Sequence, residues 1–157
     1  METADVDIDR YMGNWFEIAR FPNRFEEGCA GVTATYIRLA RQRIEVTNTC
    51  RDGGLDGDER SAEGRARIVG PGQLAVSFLP EGLSFLDGVA SGDYWVLWVD
   101  ESYQAAVVGA PNGKTGWIMA RNPVLEQATT DAALEILKAA GYRTEALHWT
   151  EQSDGGE

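Results

Sequence analysis

Histidine is nearly absent from this sequence: His148 is the only one in 157 residues. A Ser-His-Asp or Cys-His arrangement would have to recruit that one side chain, close to the C-terminal tail, so no catalytic residues of those types are expected. Cysteine is almost as scarce, and the separation of Cys29 from Cys50 fits no zinc motif, so no metal and no cofactor are expected. Basic residues are outnumbered 14 to 25, leaving a formal charge of −11. That field repels polyphosphate at long range, which argues against a nucleic-acid partner. Long apolar runs are missing too, the stretch Tyr94 to Val99 falling far short of the roughly 20 residues that span a bilayer. The N-terminus, Met1-Glu2-Thr3-Ala4-Asp5, has no basic-then-apolar signal pattern.

What the chain has is strand signal. Segments rich in branched and aromatic residues recur between Gly, Pro, Asp and Asn clusters, the pattern of an all-β protein in one domain, 1–150. The expected strands are Trp15–Phe21, Val32–Leu39, Arg43–Cys50, Ser61–Val69, Gln73–Leu79, Asp93–Val99, Gln104–Ala110 and Gly116–Arg121. One stretch reads as an amphipathic helix packed outside the sheet: Thr130–Ala140, with Ala133, Leu134, Leu137 and Ala140 on one face, Thr129 or Thr130 as N-cap, and Gly141 just past the end. A ninth short strand, Tyr142–Trp149, is expected after it. The acidic tail, 151–157, reads as disordered.

Register can be worked out for the second and third segments. With a turn at Ala40–Gln42, partners sum to about 82, so Ala34 meets Asn48 and Tyr36 meets Val46 on one face. Thr33 then meets Thr49, and Thr35 meets Thr47, on the other, which suits a wetted outer face. In the fourth segment Glu63, Arg65 and Arg67 alternate with Gly64, Ala66 and Ile68, again with charge outside.

Many of the inward positions are small: Ala19, Ala34, Gly64, Ala66 and Ala106. An eight-stranded antiparallel up-and-down β-barrel either fills its interior with side chains or encloses one small ligand. Small inward residues predict the second outcome, with the larger Phe78, Tyr94, Trp98, Trp117 and Met119 forming an apolar wall. The alternative is an ordinary core built from those same aromatics.

The motif Gly13-x-Trp15 opens the first strand, and Arg121 closes the last barrel strand before Asn122-Pro123. Together with Trp15-Phe16-Glu17-Ile18-Ala19-Arg20, Val32-Thr33-Ala34-Thr35-Tyr36, Gly92-Asp93-Tyr94-Trp95-Val96-Leu97 and Trp117-Ile118-Met119-Ala120-Arg121, this resembles the bacterial branch of the lipocalin family. The similarity runs from about Val6 to Trp149. The loop Asp100-Glu101-Ser102-Tyr103 departs from the commoner Thr-Asp-Tyr form. The resemblance implies a calycin-type barrel with a short N-terminal 3-10 segment, Asp9–Met12, capping one end. It also implies that Trp15 forms the floor with Arg121 laid over its ring as a cation–π pair. Gly13 then gives the chain freedom to turn from that segment into the strand.

Cys50 faces Val32 in the derived register, which brings Cys29 within bridging distance. A disulfide is favoured over two free thiols and would place the protein in the periplasm or outside the cell. A removed signal or lipid anchor would make it periplasmic or outer-membrane associated, and otherwise the cytoplasm is expected. Glu17 and Asn48 stand at inward positions among apolar residues. Either could orient a ligand headgroup, and Glu17 could serve as an acid–base group. The favoured reading pairs Glu17 with Arg121, Arg24 or a tyrosine, while Asn48 could equally bind water. The open end would be framed by Pro22–Gly31, Arg51–Arg60 and Pro80–Gly92, whose Phe25, Leu55, Leu83, Phe85 and Leu86 give it an apolar rim or tuck down to complete a core. That rim could also touch a membrane edge or a second copy.

These readings predict a carrier of a small hydrophobic or amphipathic ligand, of the fatty acid or lysophospholipid class by resemblance. Its contacts would come from Ala19, Ala34, Tyr36, Val46, Asn48, Ala66, Val76, Phe78, Tyr94, Val96, Trp98, Ala106, Trp117 and Met119. The competing readings are an isomerase or cyclase that uses Glu17 on an apolar substrate, and an interaction module with a filled barrel.

Overall fold

The computed structural model describes residues 1–23, 26–78 and 91–152, without the side chains of Phe78 and Ser91. Eight strands run antiparallel in sequence order: β1 (Gly13–Arg20), β2 (Cys29–Ala40), β3 (Arg43–Asp52), β4 (Glu59–Gly70), β5 (Gln73–Phe78), β6 (Ser91–Val99), β7 (Ala105–Gly109) and β8 (Gly116–Ala120). Each pairs with its neighbour in sequence, and β1 pairs with both β8 and β2, closing an up-and-down barrel. Arg24, Phe25, Leu83, Phe85, Leu86 and residues 153–157, on which several sequence expectations fall, lie outside the described residues.

The β2–β3 register is the derived one, with Ala34 opposite Asn48, Tyr36 opposite Val46, and the Thr33–Thr49 and Thr35–Thr47 pairs on the other face. On β4, Glu63, Arg65 and Arg67 are exposed while Gly64 and Ala66 are buried. Five register shifts interrupt the ladders of the described residues, and two of them displace expected inward residues, because one extra residue inverts the phase beyond it. Between Glu17 and Ala19 the pairing of β1 with β8 shifts, and between Val96 and Trp98 that of β6 with β7. The expected inward placement of Ala19 and Trp98 is therefore corrected. Both belong to an outer cluster with Ile18, Phe21, Val107, Ile118 and Ala120, beneath the C-terminal helix.

That helix, α2, spans Gln127–Ala139, three residues earlier at its start than expected. Thr130 does not cap it, because its hydroxyl donates back to the Glu126 carbonyl at 2.9 Å within the first turn. At the other end Gly141 takes φ +94°. Its N–H donates to Lys138 and that of Tyr142 to Leu137, a Schellman closure. The Tyr142 hydroxyl donates to the Thr115 carbonyl at 2.6 Å, and its ring stacks on Phe21. This fixes α2 on the barrel through Ala133 and Leu137, both fully buried. The expected ninth strand shortens to β9 (His148–Trp149), preceded by a 3-10 turn at Thr144–Ala146. At the N-terminus the expected 3-10 segment is instead one α-helical turn, α1 (Ile8–Tyr11), capped by the Asp7 carboxylate.

Candidate functional site

The floor is built first. Trp15 is completely buried, and its indole N–H donates to the Tyr11 carbonyl at 2.8 Å, so the polar edge of the ring is satisfied. The Arg121 guanidinium lies 3.9 Å from the ring centre. It also donates to the carbonyls of Tyr103, Asn14 and Arg10, tying β1, α1 and the β6–β7 loop to one cation. Gly13 holds φ +99°, a backbone conformation that favours glycine, and a Cβ there would stand 3.4 Å from the guanidinium.

Above the floor three tyrosines meet across the barrel. The Tyr94 hydroxyl bonds to that of Tyr11 at 2.7 Å and to that of Tyr36 at 2.8 Å. Burial pushes all three phenols above their ordinary value, and the neighbouring phenols raise Tyr11 and Tyr94 further. The space they enclose with Val6, Ile8, Met12, Ile44, Val46, Ala66, Leu74, Val76 and Val96 amounts to about 10 Å³. That is room for about one water. The small inward residues predicted space for one small ligand, and around the tyrosines that expectation is corrected. Tyr36 and Tyr94 from the strands, with Tyr11 and the N-terminal segment entering from outside them, occupy the room that the small strand residues leave.

On the inner wall Asn48, Ala62, Val76, Tyr94 and Trp117 keep partial exposure, whereas Ala34, Val46, Ala66, Val96 and Ala106 are buried. At Gly92, opposite Val76, a Cβ would meet nothing within 4 Å among the described residues. Met119 is buried against the same cluster, and Phe78 stands opposite Gly64 in the register.

One side of the mouth is polar. Glu17 is inward and only 2% exposed, and its Oε2 accepts from Arg20 Nη1 at 2.9 Å and from the Thr150 hydroxyl. Arg20 Nη2 donates to the carbonyls of Glu26 and Cys29, while Nη1 stands 3.6 Å from the Glu26 carboxylate. Trp117 Nε1 donates to Glu26 Oε1 at 2.8 Å. Gln152 donates to the Glu17 and Val32 carbonyls, strapping the C-terminal segment over the pair. Burial raises the Glu17 pKa well above the usual carboxylate value, and the shared Glu26 carboxyl raises it further. The partner of Glu17 is therefore Arg20, not Arg121. Arg20 was hidden from the alternation argument by the bulge beside it, and Tyr11 by its place outside any strand.

Cys29 and Cys50 form a disulfide at a Cα separation of 5.5 Å. His148 is exposed on β9, outside the barrel.

Residues 6–152 match the lipocalin-like domain family. The chain is a lipocalin. It is 36% identical over 155 residues to temperature-induced lipocalin-1 of Arabidopsis thaliana, covering 95% of this chain and 81% of that protein. It is 33% identical to the outer membrane lipoprotein Blc of Vibrio cholerae, covering 95% of this lipocalin and 84% of the relative. Among solved structures, insecticyanin from the tobacco hornworm Manduca sexta superposes with TM-score 0.71 at 20% identity, over 97% of this chain and 84% of that one. Lobster apocrustacyanin A1 gives 0.73 at 15% identity, over 94% and 80%. Membership in this family supports binding of a small hydrophobic molecule by this lipocalin.

Proposed function

We propose that this lipocalin carries a small apolar or amphipathic molecule of the fatty acid or lysophospholipid class, held in the barrel. The observation that carries this reading is the partial exposure of Asn48, Ala62, Val76 and Trp117 on the inner wall, beside Gly92, where a Cβ would meet nothing within 4 Å among the described residues. An acyl chain would lie against Val76 and Met119 and meet the polar edges of Asn48, Tyr36, Tyr94 and Trp117. Burying about ten methylenes at about 0.8 kcal/mol each matches the roughly 8 kcal/mol of micromolar affinity before ordering costs. The mechanism is burial and release, with no bond made or broken. Glu17 supports this over an acid–base role, since its carboxyl is sealed beneath Arg20 and Thr150. The disulfide and the outer-membrane lipoprotein relative support a periplasmic or extracellular setting.

Native mass spectrometry of freshly purified protein should show a co-purified amphiphile, and titration with a fluorescent fatty acid should quench tryptophan emission to saturation. Gly92→Leu, which extends a side chain into the open space, should abolish the quenching while the melting temperature holds. No added mass together with no saturable quenching would sink the carrier reading.

A further inference from the structure

The chain carries a charge of −11, yet one part of its outer surface reverses that sign. On the outer face of β2, β3 and β4, toward the closed end, Ile37, Leu39 and Val69 are each 50% exposed. Among them Arg43 and Arg67 are direct cross-strand partners, both exposed. Like charges directly opposite one another cost stability. The adjoining row avoids this, Glu45 facing Arg65 and bridging to it at 3.5 Å. Arg38 is likewise held by Asp9 at 2.9 Å. Arg41, Arg43 and Arg67 have no ion-pair partner among the described residues. The N-terminal segment passes the same end, where the Thr3 hydroxyl donates to Pro71 beside the end of β4.

We propose that this face is a docking surface for an anionic lipid bilayer. Two features select that occupant. The unpaired cations are all arginines, whose planar forks match phosphate oxygens and whose mutual repulsion is relieved only when an anion arrives. The exposed apolar groups between them are aliphatic, suited to the boundary between headgroups and acyl chains, and lack the aromatic anchors that dominate protein–protein contacts. The acidic remainder of the molecule does not prevent approach. Charges more than about 8 Å from the surface are largely screened at physiological salt, while the arginines at contact are not. Repulsion of the other faces instead makes this orientation the favoured one. The barrel then lies with its closed-end half on the membrane and its mouth in solvent, so the inference does not depend on what the barrel carries.

The test is co-sedimentation of the full chain with vesicles of phosphatidylcholine alone and of phosphatidylcholine with about one third phosphatidylglycerol. Binding is expected only to the second, and it should fall as salt rises. Arg43→Gln and Arg67→Gln should each weaken it by about fivefold. Leu39→Ser should weaken it as well. The melting temperature of either arginine variant should equal or exceed that of the parent, because each removes the like-charge opposition. Equal binding to both vesicles, binding to neither, or indifference to the arginine substitutions would overturn the proposal. Tighter capture by soluble polyglutamate than by vesicles would overturn it too, assigning the face to an acidic polypeptide.

Discussion

Replacing Glu17 with glutamine isolates one buried proton. Glu17 is 2% exposed, and burial together with the neighbouring Glu26 carboxyl holds its pKa well above 4.5, against the opposing pull of Thr150 and Arg20. Below pH 4.5 the group is protonated in both the folded and unfolded chains and contributes no pH dependence. Above that value the unfolded chain releases the proton while the folded one keeps it. The unfolded state then binds fewer protons, and the folded state loses stability as pH rises, by up to roughly 1.4 kcal/mol per pH unit until the folded pKa is passed. Glutamine cannot ionise, yet its carbonyl accepts from Arg20 and its amide donates to Glu26, so the geometry survives. In urea unfolding followed by tryptophan fluorescence from pH 4 to 8, Glu17→Gln should therefore gain steadily on the parent as pH rises. A parent–variant difference that stays flat, or that moves in the parent's favour with pH, would refute the reasoning. A second arm tests the same cluster: Arg20→Met leaves two carboxyls buried without their cation and should cost about 3–5 kcal/mol. Much of that loss should be recovered by adding Glu17→Gln.

Arg121→Lys keeps the charge over Trp15 but cannot reproduce the planar fork that holds three carbonyls. It should lower stability by about 1–3 kcal/mol in chemical denaturation, and a loss below about 0.5 kcal/mol would show that the floor does not depend on those bonds. Alkaline titration followed by tyrosinate absorbance should show Tyr11, Tyr36 and Tyr94 resisting ionisation past pH 10 and then titrating together as the barrel unfolds. Smooth ionisation of all five tyrosines near pH 10 in folded protein would contradict the buried hydroxyl chain.

Much of the barrel was legible in the chain because period-2 alternation and a short turn together determine a register. The Ala34–Asn48 and Tyr36–Val46 pairs follow from that alone. The same register brought Cys29 and Cys50 within bridging distance, and the structure joins them. The helix was legible in its apolar stripe and its terminal glycine but not in its first turn, where Thr130 had two hydrogen-bonding options and took the one inside the helix.

The bulges were decided only in three dimensions. An extra residue in a strand leaves no mark on local composition, yet it moved Ala19 and Trp98 outside and turned Arg20 toward Glu17. The interior volume was likewise beyond a strand-by-strand reading. Counting small inward residues describes the wall, whereas the space left inside depends on what enters from elsewhere, and here Tyr11 and the N-terminal segment occupy room that the small strand residues leave. Alternation is a local property that the sequence determines by itself. Packing is a sum over segments distant along the chain, so only the tertiary structure decides how much room remains.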